Sequence, residues 1–304
     1  DVLGSRGLGD VYKRQNKHMI KLIATDLDGT LFYPKKRITV LSKENRKFLK
    51  EFIDNGGKVV LVSGRNAAVL PKVEKKVGHS ISLLGCNGSF LIEDGQLKDE
   101  HPLPNDVCLE VYNKLKNNFG IIAWFLFDNT PALYVSIASG ISSALLTVSK
   151  IYNLTLGVYK EKLIFGEKKF VKKLAEGKNF KLMPIFGLGK SSYVKAKQAF
   201  MAINDLYKDK ITVCCTDNSL EMTALGMNKA VGLSEYINNL GIDKSEVAVV
   251  GDSGNDLVMF KNFENSFCME HSEQEIKNQA KYIVKRVYNC LLYTSPSPRD
   301  PKTS

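Results

Sequence analysis

The stretch from Met19 to Phe32, Met-Ile-Lys-Leu-Ile-Ala-Thr-Asp-Leu-Asp-Gly-Thr-Leu-Phe, constrains this chain more than any other. Its mainly apolar run, Ile20 to Ala24, has the length of a buried strand and stops abruptly at acidic residues. Asp26 and Asp28 stand two apart, with Gly29 and Thr30 immediately after them. In a parallel α/β sheet, ligands collect at the carboxyl ends of the strands. Two like charges buried side by side require a cation or a proton to offset them. Asp-Gly alone also marks an ordinary turn, so the rest of the chain must decide between the two accounts.

The order of elements points to an α/β fold. A basic, Pro-containing flap is expected over Leu31 to Thr39, then a helix capped by Ser42 and stopped by Asn55-Gly56-Gly57. Lys58 to Val62 reads as a second buried strand ending at Ser63-Gly64-Arg65. A helix over Ala67 to Val77 and a strand over Ile81 to Leu84 lead to Cys86-Asn87-Gly88. This alternation predicts a Rossmann-like, doubly wound parallel sheet over residues 16–89 and 226–289.

Between them, residues 90–225 carry shorter, more aromatic strands such as Ala123 to Phe127 and Leu163 to Phe165. Helices are expected there near Asp106 to Asn117, Glu167 to Ala175 and Val194 to Leu206. This pattern predicts an inserted α/β unit with a partly antiparallel sheet, in which Trp124 belongs to the core. The parallel sheet then resumes with a helix over Lys229 to Leu240 and a strand over Val247 to Val250, which runs into Gly251-Asp252-Ser253-Gly254-Asn255-Asp256. A strand at Ser266 to Met269, a helix from Ser272 to Ala280 and a strand at Tyr282 to Val284 complete it.

Composition narrows the function classes. The net charge of +11 is spread over lysines interleaved with glutamates and apolar residues. No Arg-rich tract or aromatic platform accompanies it, which argues against a nucleic-acid partner. No apolar run is long enough to span a bilayer, and no secretory leader is visible, so neither a membrane partner nor export is expected. Six cysteines without metal-type or redox-type spacing fit a cytoplasmic compartment, and four isolated histidines argue against a zinc site. Residues 1–15 and 290–304 lack any period and resemble translated adapter sequence, so they are expected to be foreign to the fold. The pattern leaves oligomeric state open and is compatible with a monomer.

Four polar clusters fall at or beside the ends of the core strands: Asp26/Asp28, Ser63-Gly64, Lys229, and Asp252 with Asn255 and Asp256. Each alone has a plain structural account as a turn, a helix cap or a surface lysine. Together, three acidic groups at one rim suit a hard divalent cation, and a hydroxyl, backbone N–H groups and a lysine suit a phosphoryl group.

Asp26-Leu27-Asp28-Gly29-Thr30, Ser63-Gly64-Arg65, Lys229 and Gly251-Asp252-x-x-Asn255-Asp256 resemble, in order and spacing, the four motifs of the haloacid dehalogenase superfamily. The large insertion resembles the α/β cap of its Cof-type phosphatases, as do Asn87-Gly88 and Leu220-Glu221-Met222. The likeness runs over about residues 19–285. The usual closing Asp-Gly-Val segment is absent, which suggests a slightly truncated native C-terminus.

The resemblance implies a Mg²⁺-dependent phosphatase of a small phosphorylated metabolite, a sugar phosphate or similar, acting through an aspartyl-phosphate. Asp26 would be the nucleophile and Asp28 the acid and base. Mg²⁺ would be held by Asp26, Asp28 through its main-chain carbonyl, and Asp252. Ser63, Asn255 and the N–H groups of Leu27 and Gly64 would bind phosphoryl oxygens. Lys229 would neutralise charge at phosphorus and on Asp26, and Asp256 would support the metal site or orient Lys229.

A phosphomutase or phosphotransferase of the same superfamily shares the Asp pair. A phospho-accepting signalling module is disfavoured by Asp28 and the insertion, and a dehalogenase proper needs neither the second Asp nor Mg²⁺. Two local matches are coincidental. Gly251-Asp252-Ser253-Gly254 lacks the partners of a trypsin-like site, and Gly189-Lys190-Ser191 lacks the P-loop glycine, with Pro184 in its place.

Overall fold

Leu22–Thr25 (β1) is buried along its whole length because its side chains meet apolar layers on both faces of a sheet. Ile23 joins the layer containing Val59, Leu61, Leu83 and Ala248. Leu22 and Ala24 join the opposite layer with Val60, Val62 and Val249. Such two-sided burial is what turns a parallel strand into a near-continuous apolar run. The computed structural model describes residues 19–33, 41–138, 161–187, 190–216 and 218–292. Residues 34–39 of the flap expected over Leu31 to Thr39, and the N-terminal 1–15, lie outside them.

The larger sheet has eight strands in the order β14-β13-β12-β1-β2-β3-β4-β5. They are β1, Lys58–Val62 (β2), Ser82–Gly85 (β3), Phe90–Glu93 (β4), Gln96–Glu100 (β5), Val247–Gly251 (β12), Asn265–Met269 (β13) and Tyr282–Val284 (β14). β1 pairs in parallel with β12 on one side and β2 on the other. Helices cover both faces. Lys43–Asp54 (α1) and Leu70–Val77 (α2) place Leu49, Val73 and Val77 on one face. Ser42 caps α1, its hydroxyl accepting from the Asn45 N–H at 3.0 Å.

The smaller sheet has the order β10-β11-β9-β6-β7-β8. Its strands are Ala123–Phe127 (β6), Ala132–Ile137 (β7), Lys162–Phe165 (β8), Lys181–Ile185 (β9), Ile211–Cys215 (β10) and Leu220–Ala224 (β11). All pairs are antiparallel except β7 with β8. Asn105–Leu115 (α3), Glu167–Glu176 (α4) and Lys190–Tyr207 (α5) share an apolar layer with Trp124 and Leu126. Trp124 is buried edge-on against Tyr112, at 5.0 Å between ring centroids, and is a packing residue. Phe127, Leu133, Val135 and Phe180 instead join the apolar layer of the larger sheet, so the smaller sheet packs onto it. The Asn66 amide also donates to the Ala132 carbonyl at 2.8 Å.

Lys229–Leu240 (α6) and Leu257–Asn262 (α7) cover the second face of the larger sheet through Leu233, Ile237, Met259 and Phe260.

Three local expectations are corrected. Residues 90–100, assigned above to the insertion, form the β4–β5 hairpin of the larger sheet, antiparallel to β3. The turn at Asp94-Gly95 sets the hairpin, with φ of 51° and 70°, but its partner strand is chosen by tertiary packing. The helix expected from Ser272 to Ala280 spans only Gln274–Lys277 (α8), because its flanks close into turns, Ser272 N–H to Met269 O and Ala280 N–H to Lys277 O. Cys290, counted with the C-terminal tail, is fully buried beside Val287 in the main apolar layer. Among the described residues no helix is long and apolar enough to cross a membrane.

Candidate active site

Parallel pairing of β2, β1 and β12 brings their carboxyl ends to one edge, and the polar clusters follow from that order. After β1 the chain makes a wide turn over Leu27–Leu31, with Phe32 N–H bonded to Leu27 O at 2.9 Å. Gly29 sits within it at φ +81°, a left-handed value that favours glycine. A Cβ there would overlap the Asp252 carboxylate. Gly29 thus lets the loops after β1 and β12 touch, and the Thr30 hydroxyl donates to Asp252 Oδ1 at 2.9 Å. Gly29→Ala is expected to lower turnover at least about tenfold by displacing Asp252, and to cost about 1–3 kcal/mol in a urea melt through the strained backbone.

Lys229 enters from the opposite face. Asn228 caps α6, its side chain accepting from the N–H groups of Ala230 and Val231 at 3.0 and 3.1 Å. Gly232 allows the helix to lie against the Gly88 turn, where a Cβ would stand 2.6 Å from the Gly88 carbonyl oxygen. The first helical residue therefore reaches the sheet edge. Lys229 Nζ donates to Asp26 Oδ1 and to Asp256 Oδ1, both at 2.7 Å. Its side chain is 1% exposed, as against 8% for Asp26 and 0% for Asp256. Burial by itself would depress the Lys229 ammonium, but Asp256 and Asp26 reverse the effect and hold it above the ordinary lysine value.

Burial pushes the Asp26 carboxyl up to about 7, with Lys229 opposing the rise and Asp256 adding to it. Asp252 is raised as well, first by burial, with the Thr30 hydroxyl opposing. Carboxylate oxygens of Asp26, Asp252 and Asp256 all lie within 4.8 Å of one another. Asp256 has its oxygens engaged already. Oδ1 takes Lys229, and Oδ2 accepts from the N–H groups of Asp252 and Ser253 at 2.9 and 3.1 Å. Asp26 and Asp252 therefore remain as hard oxygen donors within 4.8 Å of each other, and such a pair suits a small divalent cation.

The remaining predicted residues line the same edge. Asp28 is exposed and accepts from Arg65 Nε at 2.6 Å. Leu27 is fully buried, and Ser63 nearly so. Ser63 Oγ accepts from the Arg65 N–H at 3.2 Å, and Asn87 N–H bonds to Ser63 O at 2.9 Å. Asn255 accepts from the Ser253 hydroxyl at 2.9 Å. The structure thus joins Asp26, Lys229 and Asp256 directly, and ties Asp252 to Asp256 through the backbone. Ser63, Gly64 and Asn255 occupy the flanking loops, with no hydrogen bond to that group among the described bonds.

The sequence reading passed over several residues of this rim. Thr30 and Arg65 stood within the motifs without a role. Lys181 of β9 has a 4% exposed side chain with Nζ 3.4 Å from Glu221 Oε1, and Glu221 Oε2 accepts from Asn87 Nδ2 at 2.7 Å. Burial raises the Glu221 carboxyl, but Lys181 and the Asn87 bond outweigh it and leave the group lowered. Glu161, just before β8, is raised by burial against the pull of Arg65 and Lys181. In sequence, Lys181 is one lysine among many and carries no signal.

The family profile of haloacid dehalogenase-like hydrolases matches residues 23–289. A 5-amino-6-(5-phospho-D-ribitylamino)uracil phosphatase of Bacillus subtilis (strain 168) is 26% identical over 264 residues, 87% of this chain and 89% of that protein. A protein of the same name from Escherichia coli (strain K12) is 27% identical over 271 residues, covering 86% and 90%. The crystal structure of a haloacid dehalogenase-like hydrolase from Bacteroides thetaiotaomicron superposes with a TM-score of 0.69 at 23% identity, over 87% of this chain and 94% of that one.

Proposed function

The chain belongs to the Cof-type haloacid dehalogenase-like hydrolases, and on that premise we propose that it is a Mg²⁺-dependent phosphatase acting on a small phosphorylated metabolite. The observation that carries the reading is the buried Lys229, bonded at 2.7 Å to both Asp26 and Asp256, with a carboxylate oxygen of Asp252 within 4.8 Å of one of Asp26. A buried ion pair with a spare carboxylate is a poor stability device and a good reaction centre. The names of the two phosphatase relatives support the same reaction class.

In this reading Asp26 attacks phosphorus in line, and the bond from phosphorus to the leaving oxygen breaks as the Asp26–phosphorus bond forms. Asp28 gives its proton to the leaving oxygen. It then takes a proton from water, which attacks phosphorus, releases phosphate and restores Asp26. Lys229 neutralises Asp26 and the charge that gathers at phosphorus. Ser63, Asn255 and the N–H groups of Leu27 and Gly64 hold the phosphoryl oxygens. Asp256 keeps Lys229 in place. Asp26, the Asp28 carbonyl and Asp252 would hold Mg²⁺, which supplies charge compensation for the approach of two anions. The smaller-sheet unit acts as a cap that shields this centre from water.

Hydrolysis of p-nitrophenyl phosphate tests the proposal. Release is expected with Mg²⁺ and should fall at least about a hundredfold in excess chelator. Folded, Mg²⁺-loaded protein that hydrolyses neither this ester nor a panel of metabolite phosphates would overturn it.

A further inference from the structure

We propose that Asp99, His101 and Glu235 form a cation site apart from the active centre, which takes a borderline divalent ion of the Zn²⁺ type and fastens the segment leaving the larger sheet to α6. Three rigid pieces of the fold bring these side chains together. Asp99 stands in β5 opposite Leu91 of β4. Its Oδ1 accepts from the Glu100 N–H at 2.8 Å, and its Oδ2 lies 3.6 Å from His101 Nε2. His101 follows β5, where the chain crosses to the smaller-sheet unit. Its N–H bonds to Ser89 O at 2.8 Å, and the Leu103 N–H bonds to Asn179 O at 2.7 Å. Pro102 and Pro104 stiffen the same crossing. Glu235 lies on α6 one turn beyond Gly232, which packs on Gly88. The next residue, Tyr236, donates its hydroxyl to Glu93 Oε1 of β4 at 2.9 Å. The Gly88-Ser89 turn therefore positions both His101 and Glu235.

The donor set and its spacing point to the ion. His101 Nε2 lies 3.1 Å from Glu235 Oε2, and one ligand atom from each of the three residues falls within 4.8 Å of the others. Donors held at their usual distances around a tetrahedral Zn²⁺ stand about 3.3 Å apart, between the two separations seen here. One imidazole N–H can satisfy only one of the two carboxylates. Among the described ion pairs neither Asp99 nor Glu235 faces a lysine or arginine, so the cluster carries acidic charge that a cation would balance. The side chains of His101, Asp99 and Glu235 are 32%, 43% and 42% exposed, which leaves an entry path and a fourth position for water. An imidazole nitrogen favours Zn²⁺ over Mg²⁺, whereas the all-carboxylate pair Asp26 and Asp252 suits Mg²⁺. The two sites lie apart, with Glu235 about 9 Å of helix rise beyond Lys229 on α6. In sequence His101 stands isolated, because Glu235 is 134 residues away and only the fold joins them.

The test is calorimetric titration of the chelator-stripped full chain with ZnCl₂ in excess Mg²⁺, with thermal melts alongside. Wild type is expected to bind a Zn²⁺ equivalent whose affinity falls at least about tenfold in His101→Ala and in Glu235→Gln. Zn²⁺ should raise the melting temperature of wild type and do so less in both variants, since an ion that binds only the folded chain stabilises it. The double variant Asp26→Asn/Asp252→Asn, crippled at the active centre, should keep the binding event. Circular dichroism establishes folding, and Glu235→Gln, which keeps shape, decides the matter if His101→Ala does not fold. Zn²⁺ binding of equal affinity in wild type and in the folded variants of this cluster overturns the proposal. So does binding that disappears in the folded active-centre variant, and so does a wild type that binds no Zn²⁺.

Discussion

Asp26→Asn is expected to lose at least about 10³-fold in turnover of p-nitrophenyl phosphate, because an amide cannot attack phosphorus at a useful rate. The fold should survive, since Asn preserves the shape and Lys229 keeps its bond to Asp256. Stability supplies a second signature. Burial holds the Asp26 carboxyl at about 7 against an ordinary 3.8. Between those values the folded protein binds more protons at this residue than the unfolded chain, so its stability falls as pH rises through that window. In chelator, urea melts should show this fall, with a slope of up to about 1.4 kcal/mol per pH unit for one proton. The Asn variant should lack that component. Mg²⁺ should restore stability to wild type above neutral pH and do little for the variant. Near-full activity in Asp26→Asn would sink the nucleophile assignment.

Lys229→Met is expected to damage both stability and activity. Lys229 is 1% exposed and is the shared cation of Asp26 and Asp256. Its removal leaves two buried carboxylates facing each other, and breaking such a pair costs about 3–5 kcal/mol. The loss should be larger at pH 8 than at pH 5, because at the lower pH Asp26 takes up a proton and one of the facing charges disappears. Turnover should fall at least about a hundredfold from lost charge stabilisation. Guanidinium melts at the two pH values, in chelator, provide the check. A variant as stable as wild type at pH 8 would show that the pair carries no net compensation.

The core of the fold was legible because its signals are local. β1, β2 and β12 are short apolar runs bounded by polar turns, and each leads directly into a motif. A parallel sheet buries its strands on both faces, so the runs are nearly unbroken and easily found. Ser42 marks a helix start through a hydroxyl cap that depends on neighbouring residues alone. The hairpin Phe90–Glu100 was less clear for the opposite reason. Its turn is local, but the sheet it joins depends on which strand edge is free nearby.

The site divides in the same way. The residue types and spacing of Asp26, Asp28, Lys229, Asp252 and Asp256 by themselves pointed to a carboxylate-rich centre with a cation, since like charges at one sheet edge need compensation. Only the tertiary structure decided that Lys229 bridges Asp26 and Asp256, that Asp256 has no oxygen to spare, and that Gly29 makes room for Asp252. It alone brought Lys181, Glu221 and Glu161, none of them part of the four motifs, to the rim. The physical reason is the range of the forces involved. Strand formation and helix capping act over a few residues, whereas the value of a buried charge is set by the partner that packing supplies.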